Sequence, residues 1–129
     1  MVGYGADEST LKAPLEDAAR ANGIGLLPDR EPNRVLFVRS DQYSFVRIGV
    51  PSLALKIGYE KGSPEGALQK AWLKERYHAP SDDLAQPVDR EAAAAFVHLV
   101  TDLVRAVADG RDPPAWNDAS FFKRFARTL

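Results

Sequence analysis

A chain of 129 residues, 45% hydrophobic and 27% charged, is long enough for one folded domain with its own core. Its 17 Lys and Arg against 18 Asp and Glu leave a formal charge of −1, which argues against a chain-wide basic surface for nucleic acid or anionic membrane. The absence of cysteine excludes disulfides, thiol nucleophiles and thiolate zinc sites, and no apolar run approaches the ~20 residues that span a bilayer. The opening Met1–Gly5 lacks the basic and apolar regions of a signal peptide, and the compartment stays open.

Gly3 to Asp7 is glycine-rich and is expected to be a connection. Ser9 or Thr10 offers an N-cap for a helix to about Asn22, with Leu11, Leu15, Ala18 and Ala19 on its apolar side and Gly23 as its left-handed stop. Pro14 falls early enough to be tolerated in the first turn. Ile24 to Leu27 reads as a short strand and Pro28 to Pro32 as a polar turn. Val35 to Val38 is an apolar run between arginines, of a length that suits a buried strand. Ser40 and Asp41 then offer an N-cap for two helical turns from Gln42 to Ile48, closed by Gly49. Val50 to Ile57 predicts another strand, with Pro51 at its entry where no ladder donor is lost.

Gly58 to Tyr77 holds Gly58, Gly62, Pro64 and Gly66 and is expected to be mostly a long surface loop. Asp89 to Ala108 has a strong helical period, with Phe96, Leu99, Leu103 and Val107 on one face, Pro87 before it and Gly110 after. His98 falls on the opposite face with Ala94, Thr101, Asp102 and Arg105 and is expected to face solvent. Beyond Pro113 and Pro114, Asp118 can cap a last helix whose Phe121, Phe122 and Phe125 fold back on the core. No internal repeat divides the chain. Residues 1–129 are therefore expected to form one domain, with 111–129 as a C-terminal helical extension. The order of elements is that of an α/β protein.

His78 carries the most chemistry. Zinc takes three or four nitrogen, sulfur or oxygen ligands at ~2.0–2.3 Å. With two histidines and no cysteine, the chain has no His-x-x-x-His pair to build a site on one element. Spacing alone leaves His78 as either a solvated loop histidine or one ligand of a site completed elsewhere.

Three blocks point further. They are Phe37-Val38-Arg39-Ser40-Asp41-Gln42-Tyr43-Ser44-Phe45, then Ile48-Gly49-Val50-Pro51-Ser52-Leu53, then Tyr77-His78-Ala79-Pro80-Ser81-Asp82. They are similar to Arg-Ser-Asp-His-x-x-Phe, Gly-(Val/Ile)-Pro-Ala and Tyr-His-x-x-x-Asp stretches. In that order they resemble the C-terminal half of the catalytic domain of zinc aminopeptidases with two co-catalytic metals, relatives of glutamate carboxypeptidases and glutaminyl cyclases. The resemblance covers about residues 3–108.

It implies a partial three-layer α/β/α zinc-peptidase fold, with a few sheet strands flanked by helices. His78 matches the family's last zinc ligand. Tyr77 matches a position whose phenol, in some members of the family, can donate to the oxyanion of the tetrahedral intermediate, or else simply packs on the loop. Asp82 is expected to organise the turn or to orient the imidazole, and Asp83 to be surface charge. Ser40 and Asp41 are expected to cap the short helix and shape the cleft wall. Gln42 departs from the pattern, standing where the family often has a histidine that is not a metal ligand.

The larger departure is that the family's His-x-Asp pair, Glu-Glu pair and further Asp have no counterpart in this chain. The resemblance therefore implies a zinc cofactor and a peptide substrate for a longer enzyme, with zinc weak or absent in this chain alone. Uncovered apolar faces and a cut sheet edge imply self-association of the isolated chain. The alternative is a non-catalytic α/β binding or assembly module that keeps the peptidase half-fold. Glutaminyl cyclisation on the same fold is a third reading.

Overall fold

The computed structural model describes residues 1–126. Strand β1, Val2–Tyr4, pairs antiparallel with β2, Ala54–Lys56, setting Val2 opposite Lys56, Gly3 opposite Leu55 and Tyr4 opposite Ala54. A 3₁₀ turn at Ala6–Glu8 leads from β1 into helix α1, Lys12–Ala21. Two more 3₁₀ turns, Pro32–Arg34 and Leu36–Val38, precede the short helix α2, Gln42–Val46. After β2 come α3, Pro64–Glu75, and α4, Arg90–Ala108, and a last 3₁₀ turn at Phe121–Phe125. Helices around a two-strand sheet make this a partial α/β fold.

The core lies where α4 meets α1. Leu99 and Leu103, one turn apart on α4, are buried against Leu15, Ala18 and Ala19 of α1. The two alanines let the helices approach closely, while Leu53 and Leu55 pack on the same cluster from the sheet side. Asp89 starts α4 by accepting from Ala92 N–H at 3.0 Å, and Asn22 Nδ2 ties the end of α1 to Asp102 Oδ2 at 2.8 Å. His98 is exposed on the far face, where its helical position puts it.

A second cluster joins Phe37, Val46 and Trp116, with Tyr4, Phe122 and Phe125 packed against it. The C-terminal segment thus folds back on the domain. Its backbone is laced to the first turns of the chain: Thr10 N–H donates to Ala115 O at 2.9 Å and Asn117 N–H to Glu8 O at 2.9 Å. Trp116 Nε1 donates to Gly49 O at 3.0 Å, which leaves no polar cost in burying the indole. Gly5 lies in the left-handed region, with φ 83, directly beneath Phe37, and a Cβ there would overlap the ring. Residues 127–129 of the expected extension lie outside the described residues.

Several segments differ from their sequence reading. Gly3 and Tyr4 belong to a strand instead of a connection. Ile24–Leu27 is unpaired in the sheet; its backbone meets the chain start instead, with Leu27 N–H donating to Met1 O at 2.7 Å. Val35–Val38 is not a strand, because Val35 at φ 49 turns the chain between two 3₁₀ turns and sends Phe37 into the second cluster. Within Val50–Ile57 only Ala54–Lys56 is paired.

The largest difference is α3, which occupies most of the expected loop. Its glycines and proline cluster before and within the first turn, where they suit a helix start. Ser63 Oγ accepts from Gly66 N–H at 3.1 Å and Pro64 takes the first helical position. From Ala67 to Glu75 the residues are then mostly good helix formers.

Capping also differs. Asp41 has helical φ and ψ of −58° and −32°, so neither Ser40 nor Asp41 caps α2 with its side chain; the Gln42 carboxamide instead donates to Phe37 O. Thr10 Oγ1 accepts from Ala115 N–H, and Ser120 takes the cap expected of Asp118, which pairs with Lys123.

Candidate functional site around His78

Helix α3 ends at Glu75 because the next residues close off its last carbonyls. Arg76 N–H and Tyr77 N–H both donate to Trp72 O, at 2.9 and 3.0 Å. Ser81 Oγ reaches Glu75 O at 2.5 Å, and Arg76 Nη1 reaches Ser81 O at 2.8 Å. Ala79 N–H returns to Arg76 O at 2.9 Å and Asp82 N–H to Ala79 O at 3.0 Å, winding residues 76–82 into consecutive turns.

His78 sits at the apex with φ 58, the left-handed region that non-glycine residues enter at a cost. That cost is ~1–2 kcal/mol for an ordinary L-residue and vanishes for glycine. His78→Gly is therefore expected to leave the chain more stable than His78→Ala by about 1–2 kcal/mol. Urea denaturation of both variants measures it, and equal midpoints would mean that the backbone there is unstrained.

The imidazole lies against the Tyr77 ring with centroids 4.0 Å apart, and Tyr77 lies 5.2 Å from Trp72. Trp72 Nε1 donates to Gln86 Oε1 at 2.9 Å, and Gln86 Nε2 donates to Asp82 Oδ1 at 2.5 Å. The side-chain hydrogen bond of Asp82 thus runs to Gln86 and fastens the turn. Tyr77 and His78 are exposed, and among the described residues no hydrogen bond engages the imidazole. An exposed ring with free nitrogens can accept a proton, donate one or ligate a metal.

The structure groups Tyr77, His78 and Asp82 in one turn. Ser40 and Asp41 stand apart from them, exposed at the start of α2, with no hydrogen bond or ion pair between the two groups among the described residues. A cavity of about 390 Å³ beside β1 is lined by Tyr4, Gly5, Phe37 and Phe122 and by none of these five residues.

Among the described residues no three His, Asp or Glu side chains converge to hold a metal ion. One imidazole falls short of the three or four donors that zinc takes, so the donor set here does not fit a zinc ion.

Two residues of this site escaped the sequence reading. Trp72 was hidden in the supposed loop, although it stands five residues before Tyr77. Gln86 comes four residues after Asp82, a spacing that also brings the two together in a compact turn.

The family model described as Peptidase family M28 matches residues 2–104. No curated protein and no solved structure matches the chain.

Proposed function

Because this chain belongs to peptidase family M28, we propose that it is the C-terminal part of a zinc-dependent, aminopeptidase-like catalytic domain. In a complete domain of this kind, zinc would act as a Lewis acid and activate the water for peptide-bond hydrolysis. By itself the chain is catalytically incomplete. The observation that carries this reading is the exposed His78, presented on a strained turn with no group of three metal donors around it among the described residues.

The roles proposed for the chain's own residues stay within their chemistry. His78 offers one imidazole nitrogen. Tyr77 offers a phenol O–H that can donate to an oxyanion developing on substrate. Asp82 steadies the turn that carries both. Ser40 and Asp41 form part of a cleft wall, and residues 111–129 are an extension beyond the catalytic fold. Apolar side chains left exposed, such as Ile57, Leu68 and Val97, favour self-association when the chain is isolated.

A second reading draws on the same missing donors: a non-catalytic α/β module that kept the half-fold for binding or assembly. The coding sequence upstream of Met1 separates the two, since a His-x-Asp and a Glu-Glu segment there belong to the enzyme.

Isothermal calorimetry with zinc tests the incompleteness directly. A lone imidazole is expected to give only weak heats, because a tight site needs several deprotonated ligands at once. A submicromolar zinc site that disappears in His78→Ala would overturn the incomplete-site reading.

A further inference from the structure

The turn that carries His78 has almost nothing apolar to hold it down. Leu84 is fully exposed and Val88 largely so, and neither anchors the segment between α3 and α4 to the core. The His78 ring touches Tyr77, Tyr77 leans on Trp72, and the indole is held at its N–H by Gln86. Gln86 also holds Asp82, four residues beyond His78. We propose that Gln86 is a positioning residue for His78, clamping Trp72 to Asp82 and so keeping the tilted three-ring cluster in place. The inference rests on the reading above only in taking His78 as the working side chain.

The chemistry selects glutamine at this position. The indole N–H can only donate and an ionised carboxylate can only accept, so the group between them must offer an acceptor at one end and a donor at the other. A carboxamide does both. Glutamate keeps the acceptor for Trp72 but sets a second negative charge against Asp82, and leucine offers neither bond. Without the clamp, residues 76–86 regain the freedom that a short exposed loop has in solution. Burial does not substitute for it, since Trp72 is only partly covered and the turn is exposed.

The test is proton NMR of the chain with isotope-labelled histidine and tyrosine. In the natural chain the His78 ring protons are expected upfield of a free histidine, shifted by the Tyr77 ring, with cross-relaxation between the two rings. Gln86→Leu and Gln86→Glu are each expected to lose both signatures. Their thermal melting should stay close to that of the natural chain, because the α1–α4 core does not include this turn.

Gln86→Glu combined with Asp82→Asn reverses the donor and acceptor between the two positions. That pair is expected to restore the ring signatures, which general damage to the fold cannot explain. Unchanged signatures in Gln86→Leu, no signature in the natural chain, or no recovery in the paired variant would each overturn the proposal. A Gln86-dependent ring cluster in a complete peptidase whose activity is indifferent to His78 would instead take His78 out of the catalytic site and leave the Gln86 clamp on its ring standing.

Discussion

Joined to an upstream half that carries the family's other metal donors, the chain is expected to hydrolyse peptides, and His78→Ala is expected to cut kcat about 10³-fold. A bound metal contributes several kcal/mol of transition-state charge stabilisation, and each ~1.4 kcal/mol is a factor of ten in rate. With His78 as one of its few protein ligands, as proposed, the substitution would forfeit most of that contribution. The substitution leaves the core intact, since His78 lies exposed on a turn outside both apolar clusters. The measurement is peptide hydrolysis with zinc content determined in parallel. Full activity in His78→Ala would take His78 out of the site.

Leu99→Ala is expected to destabilise the chain by about 2–5 kcal/mol, the range for deleting a buried leucine side chain that leaves a cavity. Leu99 has no exposed surface and sits among Leu15, Ala18 and Ala19, so the void opens at the centre of the α1–α4 packing. The alanines opposite have no side chain long enough to refill it. Marginal domains hold only ~5–15 kcal/mol in total, so the loss is a large share of the stability. Val97→Ala, two residues earlier on the same helix at a position 58% exposed, is the control and is expected to stay within about 0.5 kcal/mol. Chemical denaturation of the two variants checks the contrast, and comparable losses in both would relocate the core.

The family blocks around Ser40, Pro51 and His78 were legible because each is a short run whose residue types and order survive without any knowledge of the fold. Helices α1 and α4 were legible for another reason. Both are amphipathic over several turns, and a 3.6-residue apolar period implies a buried stripe wherever the partner lies. Helix α3 was not, because Gly62, Pro64 and Gly66 are loop residues in general and become helix-start residues only when Ser63 caps the turn after it. The same four-residue apolar run that suits a strand became a left-handed Val35 followed by a 3₁₀ turn at Leu36–Val38, since Phe37 is buried against Phe122 and Trp116 from distant parts of the chain. Short apolar runs carry no period of their own, so their partners decide their shape.

By itself, then, the sequence pointed to the family and to the amphipathic helices α1 and α4, and singled out His78 as the imidazole proposed as a metal ligand. These come from local order and periodicity, which the chain carries along its length. Tertiary structure alone decided that His78 stands at a left-handed apex, that its ring rests on Tyr77 and Trp72, and that Gln86 and Asp82 fasten the turn. It also decided that no group of three metal donors gathers there among the described residues. Each of those facts depends on the path the backbone takes, and a hydrogen bond or a ring contact exists only once the backbone has brought both partners within reach.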